Sequence, residues 1–199
     1  MEKSTIIEHE VIDAIKKRRS GRAYVERPVE AEKIHIVLEA ARWAPSSSNE
    51  QPWRYILATK ENTELYNKVF DSLADGNKVW VTKAPVLLVS LAKKTFIRNG
   101  AVNRHALYDT GAANCLLCLQ TSALGLNAHQ MGGFDYAKLK ESLSLSDDFD
   151  IASVISIGYP SDLNELSETL RMREVAPRER YTQAEFMIHP GELDEPEDL

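Results

Sequence analysis

Residues 104 to 124, "RHALYDTGAANCLLCLQTSAL", decide the fold. Small residues crowd this run and its centre is apolar almost all round, a pattern that predicts one long helix buried on several sides. Gly125 follows where a left-handed C-cap would end it. Cys115 and Cys118 have C-x-x-C spacing, but they fall mid-helix beside Leu116 and Leu117, away from the helix N-terminus whose dipole would lower a thiol pKa. With no second C-x-x-C to close a zinc site, both read as core residues.

Elements to bury such a helix are present on both sides. After it come "NAHQMGG", a short strand running into a turn, "FDYAKLKESL", a helix, and "DIASVISIGYP", a core strand. Before it lie "APVLLVSLA", a buried strand, a helix over Thr63–Leu73, and the strand "WRYILAT". Pro28 and Pro45 bracket a further helix with a stripe of Ile34, Val37, Leu38 and Ala41. The segment "IIEHEVIDAIKKR" places Ile7, Val11 and Ile15 at helical spacing, and residues 93–103 read as a mobile connection. This order is that of an α+β domain.

At 199 residues, 43% hydrophobic and 27% charged, the chain can bury a core without disulfide staples. No apolar run approaches the ~18–20 residues of a membrane span, and "MEKSTIIEHE" lacks the apolar stretch of a signal peptide, so a cytoplasmic protein with no membrane partner is expected. The formal net charge is -6, but Glu192, Asp194, Glu195, Glu197 and Asp198 carry most of it. Residues 1–188 are read as a single domain and 189–199 as an acidic C-terminal tail. The basic field that nucleic acid would need is absent, and no nucleic-acid partner is expected.

Four stretches carry candidate chemistry. In "IKKRRSGRAY", residues 15–24, Arg18, Arg19, Ser20 and Arg22 offer forked guanidinium donors and a hydroxyl, which suit a phosphate dianion or a carboxylate. On spacing alone a solvated basic helix end comes first, and Lys16 and Lys17 keep that reading. In "APSSSNEQPW", residues 44–53, Pro45, Ser46, Ser47, Ser48, Asn49 and Gln51 hold hydrogen-bonding groups on an extended backbone, and the two amides can answer the imide-like edge of a heterocycle. A polar turn with Ser46 or Ser47 as a cap is the alternative. In "HQMGGF", Gly132 and Gly133 leave backbone N–H groups open to a planar ligand, or simply form a tight turn. In "RMREVAPRERY", Arg171, Arg173, Arg178 and Arg180 either complete an anion pocket or pair with Glu174 and Glu179. His129 has no neighbour at a ligand spacing, so no metal is expected. Neither G-x-G-x-x-G nor a P-loop motif occurs.

Taken in order, "RRSGRAY", "APSSSNEQPW", "YDTGAANCLLCLQTSALGL", "HQMGGF" and "APRER" resemble the successive landmarks of the nitroreductase family of FMN-dependent NAD(P)H oxidoreductases, over roughly Val11 to Arg180. The resemblance implies a central, mainly antiparallel sheet flanked by helices and an intertwined homodimer with FMN at the subunit interface. It places Arg18, Arg19, Ser20 and Arg22 on the phosphate, ribityl chain and pyrimidine edge. Pro45, Ser46, Ser47, Ser48, Asn49 and Gln51 fall in the loop that approaches the ring from the other subunit. Met131, Gly132 and Gly133 lie along the ring, and Arg178 and Arg180 close on the phosphate. Glu179 separates these two arginines where the family often has a proline after the pair.

The resemblance further implies ping-pong hydride transfer: NADH or NADPH as donor, then a nitroaromatic, quinone or similar small-molecule electron acceptor on the same face. The flavin carries the hydride, so no side chain is assigned as a catalytic acid or base. A specialised flavin reductase acting by dehalogenation or enone reduction, or a non-enzymatic flavin-binding or sensing protein, are the alternatives. His105 and Tyr108 are candidates to face the substrate.

Overall fold

The computed structural model describes residues 7–188; the acidic tail assigned to residues 189–199 lies outside them. Four strands form one sheet in the order β1-β2-β4-β3: β1 is Trp53–Thr59, β2 Val86–Lys93, β3 Asn127–Met131 and β4 Phe149–Gly158. Every neighbouring pair is antiparallel. The two central strands are the two most apolar runs, as strands buried on both faces must be.

Side chains alternate across the sheet and so feed two cores. Leu87, Val89, Leu91 and Val154 face Tyr66, Val69, Trp80 and Leu139 on one side. Val86, Leu88, Ile155 and Ile157 face Ile34, Val37, Ala41, Ala113 and Leu117 on the other. The second side is covered by α2 (Ala31–Arg42) and α5 (Ala106–Ala123), the first by α3 (Thr63–Ser72), α4 (Asp75–Val81) and α6 (Tyr136–Ser142). This is the expected α+β arrangement, with an entirely antiparallel sheet. Two short helices, α7 (Glu168–Val175) and α8 (Gln183–Phe186), follow the sheet. No helix of the described residues is long and apolar enough to cross a membrane.

Local chemistry sets the helix ends. Asn62 and Asp135 accept backbone N–H groups of Leu65 and Lys138 and so start α3 and α6. Gly125, at φ +73°, ends α5 in the left-handed region.

Four expectations need correction. The segment "IIEHEVIDAIKKR" is helical only over α1, Asp13–Lys17, which buries no side chain, because no other part of the described chain covers Ile12 and Ile15. The long helix α5 is buried through Ala106, Asp109, Thr110, Ala113, Asn114, Leu117, Cys118 and Thr121, but Leu107, Tyr108 and Cys115 are exposed, so of the two cysteines read as core only Cys118 is a core residue. The connection at 93–103 is tied down rather than loose. Thr95 bridges Val102, Asn103 N–H donates to the Lys94 carbonyl, and Lys93 Nζ and Thr95 Oγ1 both donate to the Asp148 carboxylate. Finally, α4 was not foreseen, because Gly76 and three polar residues interrupt its short pattern.

Candidate functional site

The two ends of the described chain meet. Arg178 lies 160 residues after Arg18, yet its guanidinium donates to the carbonyls of Arg18 and Lys16 at 2.5 and 2.6 Å. Arg18, Arg178 and Arg180 line a cleft of about 700 Å³ whose other walls include Ile7, Val11 and Phe186. Burial, and then the like charges of Arg18, Arg180 and Arg19, hold the Arg178 pKa below its ordinary value. Four guanidinium groups therefore crowd one place, and among the described residues no carboxylate forms an ion pair with Arg18, Arg19 or Arg180. Such a cluster favours an anion at its centre. Ser20 stands beside it, its hydroxyl accepting from Arg18 at 3.5 Å.

Arg22 is engaged elsewhere. Its Nη1 donates to Glu174 of α7 at 2.7 Å, and Glu174 is 2% exposed. Its guanidinium carbon also lies 5.9 Å from the Trp80 ring centroid. Sequence reasoning treated Glu174 as a surface partner for the late arginines; instead it is a buried anchor for the first segment. Gly21 is required by close approach, since a Cβ there would come within 2.3 Å of Asn127 Nδ2. Through these contacts the arginine segment is packed along β3. There the His129 ring packs tilted against Trp80, with ring centroids 4.6 Å apart. Burial, followed by the charge of Arg22, pushes the His129 pKa down to about 4.

Beyond β3, Met131 is buried in the first core, so its side chain packs inward. Gly132 is open, with nothing within 4 Å of a Cβ, whereas the Gly133 carbonyl accepts from the Ala74 N–H and from Asn77 Nδ2 at the start of α4. The Gly133 carbonyl is thus tied to the start of α4, while Gly132 is exposed.

The serine loop stands at the other end of α5. Pro45 is exposed, and Ser47–Asn49 form a single 3-10 turn. Ser48, Asn49 and Gln51 have φ of 54°, 53° and 52°. Left-handed backbone at residues other than glycine costs of order 1–3 kcal/mol each, so something must hold this path. Within the loop, Gln51 N–H donates to Ser46 Oγ at 3.0 Å and Arg54 Nη1 donates to the Gln51 carbonyl at 2.9 Å. From outside, Ser47 N–H donates to Asp109 Oδ2 at 3.0 Å, and Glu50 Oε1 accepts the Ile97 N–H of the following connection at 2.6 Å. Neither carboxylate was singled out from the sequence. The usable signal for Asp109 was a charge in the first turn of an otherwise apolar helix.

Under α5 a polar chain crosses the sheet. Tyr55 and Ser90 both donate to Asn114 Oδ1 at 2.9 Å, and Asn114, Ser153, Gln130 and Cys118 continue it. Burial raises the Cys118 thiol to about 11, which leaves it protonated and inert at neutral pH. His105 and Tyr108, at the start of α5, are exposed.

The arginine cleft takes no residue from 45–51 or 131–133. Asp109, which holds the serine loop, and Cys118, in the polar chain under the helix, are nine positions apart on α5, or about 13 Å along a helix.

Comparison with known proteins agrees with the fold. A solved structure of an oxidoreductase containing FMN superposes with a TM-score of 0.86 at 31% identity, covering 96% of this chain and 98% of the other. A nitroreductase family protein of Clostridium difficile superposes at 0.69 with 27% identity, covering 92% and 99%. An NADH dehydrogenase of Thermus thermophilus is 28% identical over 191 residues, 80% of this chain and 91% of that protein. The family model described as Nitroreductase family matches residues 15–79 and 67–159, most of the sheet and the helices around it, and the chain belongs to that family.

Proposed function

We propose that the protein is an FMN-dependent NAD(P)H oxidoreductase that reduces nitroaromatics, quinones or similar conjugated acceptors, and that it works as a homodimer. The observation that carries this reading is the convergence of Arg18, Arg178 and Arg180 on one cleft from opposite ends of the chain, with the charge of Arg19 felt at Arg178. A donor set of guanidinium groups with a hydroxyl nearby fits a phosphate monoester. Bound FMN would supply hydride chemistry to both half-reactions, and the protein's own part is placement and charge.

Arg18, Arg19 and Arg180 receive the phosphate. Arg178 spends two N–H groups on the carbonyls of Lys16 and Arg18, so it fixes the path of the segment that presents the others. Ser20 and Arg22 lie toward the ribityl chain. Pro45, Ser46, Ser47, Ser48, Asn49 and Gln51 present amide and hydroxyl groups to the ring's polar edge, and Met131, Gly132 and Gly133 run beside the ring with Gly132 open to it. As the family resemblance implies, the serine loop of one subunit completes the cleft of the other; the separation of loop and cleft within one chain is compatible with that.

The test is the visible spectrum of the purified protein, identification of the released flavin, and NADPH or NADH oxidation with menadione or a nitroaromatic. A yellow protein that releases FMN and turns over is expected. Arg18→Ala and Arg19→Ala are each expected to weaken FMN binding by ~2–5 kcal/mol, the usual cost of truncating one partner of a desolvated charge contact. Unchanged FMN affinity in both variants removes the site assignment, and a yellow protein without turnover makes it a flavin binder rather than an enzyme.

A further inference from the structure

We propose that Asp109 is the positioning residue of the serine loop: from the first turn of α5 its carboxylate holds the Ser47 N–H and thereby sets where Ser48, Asn49 and Gln51 stand against a flavin. The inference deepens the reading above and rests on it for the identity of the ligand. Four anchors act on residues 46–51: Ser46 Oγ, Arg54, Glu50 and Asp109. Asp109 alone among them is buried, at 4% exposure. A carboxylate is an expensive occupant of such a position, where an alanine or leucine would pack at little cost. No cation forms an ion pair with it among the described residues, and the Ser47 N–H is the donor its carboxylate meets. The start of a helix adds to this, because the dipole there favours a negative charge.

The loop needs such an anchor. Three residues between Ser46 and Pro52 lie in the left-handed region without being glycine, and a free segment of this composition would leave that path. Two of the other anchors act at the loop's far end, on Gln51, and Glu50 joins it to the exposed Ile97. Asp109 fixes the near end, immediately before the first left-handed residue. Because α5 is packed against the sheet through Ala113 and Leu117, the anchor is as rigid as the core beneath it.

The test compares the full-length protein with its Asp109→Asn and Asp109→Ala variants. Asparagine keeps an oxygen that can accept from Ser47 N–H and removes the charge; alanine removes both. FMN affinity is read by titration of flavin fluorescence, and loop order by amide hydrogen exchange over residues 44–52 without added flavin. Asp109→Ala is expected to weaken FMN at least about tenfold and to speed exchange in the loop alone, while Asp109→Asn stays within about threefold of wild type with the loop protected. Wild-type affinity or wild-type exchange in Asp109→Ala overturns the proposal, and so does an Asp109→Asn as impaired as Asp109→Ala. Should Asp109→Ala not fold, Ser47→Pro removes the donor without touching α5 and is expected to speed exchange at Asn49 and Glu50. Failure of the wild type to take up FMN would defeat the functional reading, while the exchange arm still decides the role of Asp109.

Discussion

His129 shows how a single side chain links the site to the pH response of the whole fold. The free imidazole takes up a proton near 6.5, whereas in the folded chain, buried against Trp80 and near the charges of Arg22 and Arg18, it does so only near 4. Between those values the unfolded chain binds more protons, so stability falls as pH drops from about 6.5 toward 4, by roughly 2–3 kcal/mol, and the slope vanishes outside that window. Urea midpoints measured at pH 7 and pH 4.5 are expected to separate in the wild type and to draw together in His129→Gln. Gly21 makes a second prediction at this scale. In Gly21→Ala the new methyl meets the Asn127 amide, which must abandon its bond to the Ala23 carbonyl. A loss of ~1–3 kcal/mol is expected by chemical denaturation, and less when Asn127→Ala is already present. The need for glycine at this position was visible in "RRSGRAY", but the neighbour that demands it was not. Asn127 sits 106 positions away, and only the pairing of β3 with β4 brings it there.

Among the elements, α7 meets the body through the buried ion pair of Glu174 with Arg22 and through Leu170 against the first core. Glu174→Ala leaves the half-buried guanidinium of Arg22 without its partner and is expected to cost ~3–5 kcal/mol, while the Arg22→Met, Glu174→Leu double variant regains most of it. Thermal unfolding of the single and double variants checks this. The strands were legible because their apolar runs are bounded by turns: "WRYILAT" is β1 residue for residue. The long helix was legible by its composition. Its exposure was not, because a face of leucine, tyrosine, glycine and cysteine looks the same in sequence whether it meets a core or lies open. Charged residues in the interior were hidden for the converse reason. Asp109 lies in a segment that reads as helix and Glu174 in one that reads as a surface cluster of arginines, places where solvent is the default partner, and only tertiary placement gives each its donor.

For the molecule as a whole, the exposed side of α5 bears on the proposed homodimer. Leu107, Tyr108 and Cys115 lie open on one chain, and pairing along this helix would cover them. Sedimentation is expected to give twice the mass of the chain. The Cys115 thiol is expected to react slowly with a water-soluble disulfide reagent until dilution or mild denaturant separates the subunits, and rapid labelling of the intact dimer would place the interface elsewhere. The candidate site was legible as a set of motifs and not as a place, since its parts stand at two levels of one helix and neither level is marked in the sequence.

The joining of Arg178 to Lys16 and Arg18 also sets an order in time. Both cores can close once β4 is complete at Gly158, while the arginine segment is still waiting for the residues that fix it. During synthesis from the N-terminus the binding cleft is therefore the last part of the domain to be assembled, and a cofactor that requires it is loaded onto a body already folded.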